Sequence, residues 1–189
     1  MTLRRCDWAG DDPVYQAYHD TEWGVPDYDS RALFEKLILD GFQAGLSWIT
    51  ILKKRDNFRA AFAGFDPDII APWGDAEVAR LLADPGIVRH RGKIEGAIKN
   101  ARAYQKIEAD QGFSTFLWSY VDGKPLQTYR ATMADVPAQT ELSQQMSKDL
   151  KKAGFTFCGP TIVYAFMQAC GLVNDHIVDC HCHAGLTND

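Results

Sequence analysis

Histidine and cysteine crowd into one stretch of this sequence. Three of the five histidines (His176, His181, His183) and three of the five cysteines (Cys170, Cys180, Cys182) fall between Met167 and His183. His176 and Cys180 are four residues apart, so on a helix they would share a face, one turn from each other. That spacing suits two ligands of one metal ion, and zinc accepts both imidazole nitrogen and thiolate sulfur. A tetrahedral ion needs two more donors, which must come from elsewhere. Cys6 and His19, thirteen residues apart near the N-terminus, are candidates.

A second chemical signal is an acid in an apolar stripe. Leu33, Leu37, Ala44 and Trp48 follow helical spacing if a helix survives Gly41 and Gly45, and Asp40 falls on the same stripe. Burying a carboxylate without a partner is costly. The alternative is a helix ending at Gly41 with Asp40 solvated at its C-terminus, where the helix dipole disfavours an acid. Tyr15, Tyr18 and His19 share a helical face (i, i+3, i+4), which is compatible with plain core packing.

A third signal is basic. The segment Asp84–Ile94 holds Gly86 and Gly92, with Arg89, Arg91 and Lys93 between and beside them, and short helical patterns flank it. It resembles a helix–hairpin–helix, an element that offers backbone N–H groups and a helix N-terminus to phosphate. A solvated charged helix is the plainer reading.

The elements that must position these residues are helical. Asp12–Pro13 opens a helix through about Asp20, and Ser30 caps one running to about Asp40 or beyond. A tight turn spans Gly41–Trp48, with Ser47 capping the next helix. Helix starts follow at Asp66–Pro67 and Asp75. Leu142–Lys152 is amphipathic and ends at Gly154, and Thr161–Gly171 is apolar nearly all round, as a buried helix is. The stretch 121–140 reads as loop. No alternating strands or βαβ rhythm stand out, so the expected fold class is all-α. The chain of 189 residues is expected to form a single compact unit, with residues 1–30 and 142–189 as one terminal helical region and 31–141, including the hairpin at about 77–106, as the other.

Apolar residues make up 46% and charged residues 24%, the composition of a globular protein, with no run long enough for a membrane span. The N-terminal Arg4 and Arg5 precede no apolar core, so no secretory signal is expected. An odd number of cysteines fits reduced thiols in the cytoplasm. The net charge of −5 opposes non-specific nucleic-acid binding except through a local basic face.

Five strings carry a family resemblance: Arg5–Trp8; Ala17–Asp20 with Glu22–Pro26; Gln43–Thr50; Gly86–Ile94; and Phe166–His176. Together they resemble the bacterial 3-methyladenine DNA glycosylase I family, of the helix–hairpin–helix glycosylase superfamily, from Arg5 to about Cys180. The resemblance implies base-excision repair: hydrolysis of the N-glycosidic bond of 3-methyladenine in double-stranded DNA, by base flipping. The products would be free 3-methyladenine and an abasic site, and the enzyme would act as a monomer. It implies one structural zinc joining the N- and C-terminal regions through Cys6, His19, His176 and Cys180. It also implies a base pocket in which Tyr18 and Asp40 contact the extruded base, Trp48 stacks on it and Tyr15 is a neighbour. Asp40 would be the catalytic carboxylate. Leu46 would fill the gap in the duplex, and Gly86, Arg89, Arg91, Gly92 and Lys93 would contact DNA, with Lys93 on phosphate rather than in a Schiff base.

One departure stands out. Well-known family members carry Glu where this chain has Asp40, which shortens the carboxylate's reach by roughly an ångström. A remodelled pocket around the bulky Phe42, a bridging water, or a shifted base preference would each accommodate it. Two other readings follow from the sequence: a catalytically weak lesion-binding relative with altered base preference, and a zinc hydrolase, which would require an open metal position.

Overall fold

In the computed structural model, which describes residues 3–184, the chain is mostly helical. The helices start where local chemistry satisfies their first N–H groups. Asp12 accepts from Val14 and Tyr15 with Pro13 in the first turn, opening α1 (Pro13–Thr21). Asp29, rather than Ser30, accepts from Ala32 to open α2 (Ser30–Gln43). Ser47 stands before α3 (Trp48–Ala61). Asp66 and Pro67 start α4 (Pro67–Ile70), and the Glu77 carboxylate reaches back to the Gly74 N–H to start α5 (Asp75–Leu82). The long α6 (Arg91–Asp110) is capped by His90, whose Nδ1 accepts from Lys93 N–H at 3.1 Å. Then come α7 (Phe113–Trp118), α8 (Glu141–Ala153) and α9 (Pro160–Ala169).

Helix α2 is the hub, packing on α3, α6 and α9, while α8 lies along α9. It does not stop at Gly41 but runs to Gln43, so the turn to α3 is confined to residues 44–47. Gly41 and Gly96 are small for a reason. A Cβ on Gly96 would lie 2.8 Å from the Phe157 ring, and one on Gly41 would lie 3.2 Å from the Phe157 carbonyl oxygen. The α8–α9 connection is thus wedged between α2 and α6.

The expectation of a wholly helical chain is corrected at one place. β1 (Leu126–Gln127) pairs in parallel with β2 (Val173–Asn174), Leu126 opposite Val173, and an isolated bridge joins Arg130 to Ile177. This ties the 121–140 stretch to the segment after α9. The N-terminal segment is tied to the same place: Gly24 N–H donates to Ala169 O and Asp27 N–H to Cys170 O. Gly171 is obligatory there, because its φ is +75° and a Cβ would sit 2.5 Å from the Pro26 nitrogen. No helix among the described residues is long and apolar enough to cross a membrane.

Candidate functional site

A cavity of about 360 Å³ opens where α1, α2, α3 and α9 meet. Its aromatic wall is built from Trp8, Tyr15, Tyr18, Trp23 and Trp48. Trp48 lies 5.6 Å from Tyr18, centroid to centroid, and Trp8 lies 4.9 Å from Tyr15. Asp40 lines the same space and is only 1% exposed, so the solvated C-terminal alternative is ruled out. Lys36, one turn earlier on α2, donates to Asp40 Oδ1 at 2.5 Å, and its Nζ stands 3.7 Å from the centre of the Trp48 ring. Asp40 Oδ2 and Trp48 Nε1 find no hydrogen-bond partner among the described residues, although both are buried. Burial pushes the Asp40 carboxyl above the usual range while Lys36 pulls it back. Burial, with the Asp40 charge adding to it, pushes the Tyr18 phenol well above its ordinary value.

Phe42 does not reshape this cavity. It packs in the core, 4.8 Å from Phe58 and 5.6 Å from Phe62, and is absent from the lining.

Sequence reasoning missed the far wall. Met133, Val136, Pro137 and Ala138 come from the stretch read as featureless loop, and Tyr164 and Gln168 from α9. Behind that wall Asp175, fully buried, accepts from Tyr164 OH, from Gln168 Nε2 at 2.9 Å and from Thr128 Oγ1 at 2.7 Å. The only cue in the sequence was an acid beside His176.

Cys6, His19, His176 and Cys180 come together, all buried, with their donor atoms within 4.8 Å of one another. His176 Nδ1 lies 3.6 Å from Cys6 Sγ and 3.4 Å from Cys180 Sγ, and His19 Nε2 lies 3.5 Å from Cys180 Sγ. A tetrahedral ion held by thiolates at about 2.3 Å and imidazoles at about 2.0 Å has S–N edges of about 3.5 Å, which these distances match. The outer nitrogens are committed. His176 Nε2 donates to Trp23 O at 3.0 Å and His19 Nδ1 to Asp20 Oδ1 at 2.8 Å, which leaves the inner nitrogens as lone-pair donors. The cluster could therefore hold a metal ion. The expected helical geometry is wrong, however: α9 ends at Ala169, and His176 and Cys180 sit on the turn after β2. His183 lies apart, donating from Nε2 to Thr128 O at 2.9 Å.

The basic segment joins α5 to α6 as expected, and Arg89 and Arg91 are exposed there. Neither Gly86 nor Gly92 needs a positive φ; Gly86 is held small by Asn57, whose Cβ would be 3.2 Å from an added Cβ. Lys93 departs from its expected place on the surface. It is buried, donating from Nζ to Phe42 O at 2.9 Å and Ala44 O at 2.6 Å, the free carbonyls at the end of α2. Leu46, in the turn that follows, is 42% exposed and outside the cavity lining.

Electron-rich ring faces and a buried carboxylate around one cavity are chemistry suited to a flat, positively charged ring. A family model described as methyladenine glycosylase matches residues 8–183, and the chain belongs to that family. DNA-3-methyladenine glycosylase 1 of Escherichia coli (strain K12) is 54% identical over 184 residues, 97% of this chain and 98% of the relative. The DNA-3-methyladenine glycosylase of Haemophilus influenzae is 49% identical over 94% of this chain and 97% of its own length. A solved structure of 3-methyladenine DNA glycosylase I from Staphylococcus aureus, described as showing the basis of 3-methyladenine recognition, matches with a TM-score of 0.93 at 43% identity. That match covers 97% of this chain and 98% of that one.

Proposed function

We infer that the chain is a monofunctional DNA-3-methyladenine glycosylase, which hydrolyses the N-glycosidic bond of the damaged base and leaves an abasic site. The observation that carries this reading is the cavity lined by both Asp40 and Trp48, each with one buried polar atom unpartnered among the described residues. A heteroaromatic ring offers the missing donor and acceptor. The methylated base is cationic while attached to sugar, so it gains from a carboxylate and from the faces of Trp48 and Tyr18; neutral adenine does not. The flipped base reaches the cavity at reduced cost because a damaged base unstacks readily.

Cleavage needs little acid help, since the cationic base is already a good leaving group. The buried Asp40 charge also favours the positive charge that develops on the sugar. Leu46 would enter the vacated gap as an apolar wedge. Arg89, Arg91 and the backbone around Gly86 and Gly92, as a helix–hairpin–helix, would hold phosphate. Lys93 is better assigned to fixing that element against the Leu46 turn. Cys6, His19, His176 and Cys180 would hold zinc, which when bound supplies a structural cross-link. Four protein donors leave no position for water, which disfavours a zinc hydrolase.

Release of free bases from alkylated duplex DNA tests the reading, with Asp40→Asn and Asp40→Glu beside the unaltered chain. The unaltered chain should release 3-methyladenine, and Asp40→Asn should lower the rate by about a hundredfold. Equal activity of Asp40→Asn would remove the role assigned to Asp40. Binding to abasic duplex without base release would favour the lesion-binding relative.

A further inference from the structure

The cation subsite already contains a cation. The Lys36 ammonium makes both contacts expected of the methylated base: 2.5 Å from Asp40 Oδ1 and 3.7 Å from the Trp48 ring centre. Its side chain is 16% exposed, so the pairing is largely shielded from water. The same lysine also lines a neighbouring cavity of about 290 Å³. That second space is walled by three carboxylates, Glu22, Asp27 and Glu35, against two guanidiniums, Arg55 and Arg59. Those guanidiniums pair with Glu22 (Arg55, at 2.6 Å) and Glu35 (Arg59, at 2.8 Å), leaving Asp27 with no cation among the described residues. A lysine withdrawn from Asp40 would therefore enter a compartment one positive charge short.

We propose that Lys36 alternates with the base on the Trp48–Asp40 site: it withdraws toward the neighbouring cavity when the cationic base enters, and returns to expel the product. The inference rests on the glycosylase reading, and the charge balance of that reaction supplies its direction. When the bond between the sugar C1′ and the base nitrogen breaks, its electron pair goes to the base and cancels the ring's positive charge. The sugar carbon takes up the charge and bonds the oxygen of a water, which releases one proton to solvent. The base is then neutral 3-methyladenine. It no longer answers the Asp40 carboxylate, and burying that charge unpaired is costly. Returning the Lys36 ammonium restores the pair and displaces the ring. Entry of the substrate exchanges one cation for another; departure of the product exchanges a neutral ring for a cation.

Lys36→Met keeps the length of the side chain and removes its charge; Lys36→Arg keeps the charge. Free 3-methyladenine at about pH 8, where it is neutral, is the probe. Its inhibition constant should fall about tenfold in Lys36→Met and stay near the unaltered value in Lys36→Arg. The ratio of multiple-turnover to single-turnover excision rates should fall in Lys36→Met, because product leaves more slowly. In the unaltered protein, the Lys36 methylene protons should be shifted upfield by the Trp48 ring and lose that shift when the base saturates the site. A Lys36→Met inhibition constant that is unchanged or weaker, or ring-shifted lysine signals that persist at saturation, would overturn the proposal. Failure of the unaltered chain to release any base would instead overturn the glycosylase reading, and the binding and proton-shift measurements would still decide the place of Lys36.

Discussion

Asp40 shows how a residue's neighbours settle what its position only suggests. Its spacing marked it as an acid on an apolar stripe, and that much was legible in the sequence. Its partner went unread, although Lys36 and Asp40 stand four apart, and nothing in the sequence showed the pair lying over an indole ring supplied by the next helix. Because burial raises the folded-state pKa of Asp40, the stability linked to this group is full below its unfolded pKa of about 3.9 and declines as pH rises through the folded value. Catalysis runs the other way, because it needs the carboxylate. At subsaturating protein, where the profile reports the free site with Lys36 on Asp40, the excision rate should fall on the acid side with an apparent pKa above about 3.9, and removing the Lys36 charge should push that limb higher still. A single-turnover pH–rate profile measures both; an acid limb at or below the ordinary aspartate value would contradict the burial argument. Phe42 does not compensate for the shorter side chain at position 40, because it packs away from the cavity. What stands beside its carboxylate is an ammonium.

Among the elements, the instructive pair is the α2–α3 turn and the start of α6. Caps and prolines made the helix starts readable to within a residue or two: Pro13, Ser47, Pro67 and Asp75 all fall at or beside the observed starts. The basic run before α6 was also readable, but charge alone could not say which lysine faces inward. Lys93 bonds the last carbonyls of α2, and so fixes the spacing between Arg89 and Arg91 on one side and Leu46 on the other. Lys93→Met should cost about 2 kcal/mol of stability by leaving buried carbonyls unpaired. It should leave the salt dependence of DNA binding unchanged, whereas Arg89→Ala should lower the slope by about one. Thermal melts and binding titrations over a salt series separate the two; a slope that drops for Lys93→Met with no loss of stability would return that lysine to phosphate. The 121–140 stretch was unreadable for a different reason. Its two-residue strand is defined by a partner 47 residues further on, and its wall residues have no periodicity of their own.

For the molecule as a whole, the four-residue cluster joins segments that local pattern could not connect. The sequence pointed to His176 and Cys180 through a helix that does not exist, and the four side chains came together on turns and on α1. The cluster's neighbours explain its reach: His19 follows Tyr18 on α1, and His176 holds the carbonyl of Trp23, so two walls of the cavity hang from it. With metal a thousandfold above its Kd, occupancy should stabilise the fold by about 4 kcal/mol, so chelation should lower Tm by roughly 8–16 °C. Melting curves with and without a chelator, beside Cys6→Ser, provide the check. A Tm that does not respond to chelation would argue against a stabilising ion.

The distance along the chain between Cys6 and Cys180 also sets an order of events during synthesis. At roughly 5–20 residues per second, Cys6 and His19 leave the ribosome well before the imidazole and thiolate that complete their site are translated. Tyr18 and Trp23, which hang from that cluster, would then be fixed only after its C-terminal half is made. Until Cys180 is translated the nascent protein has most of its helices but only part of its ring-binding wall. A chain arrested before His176, with a linker long enough to bring α9 out of the ribosome, should protect α2 and α6 from protease while leaving α1 open to cleavage.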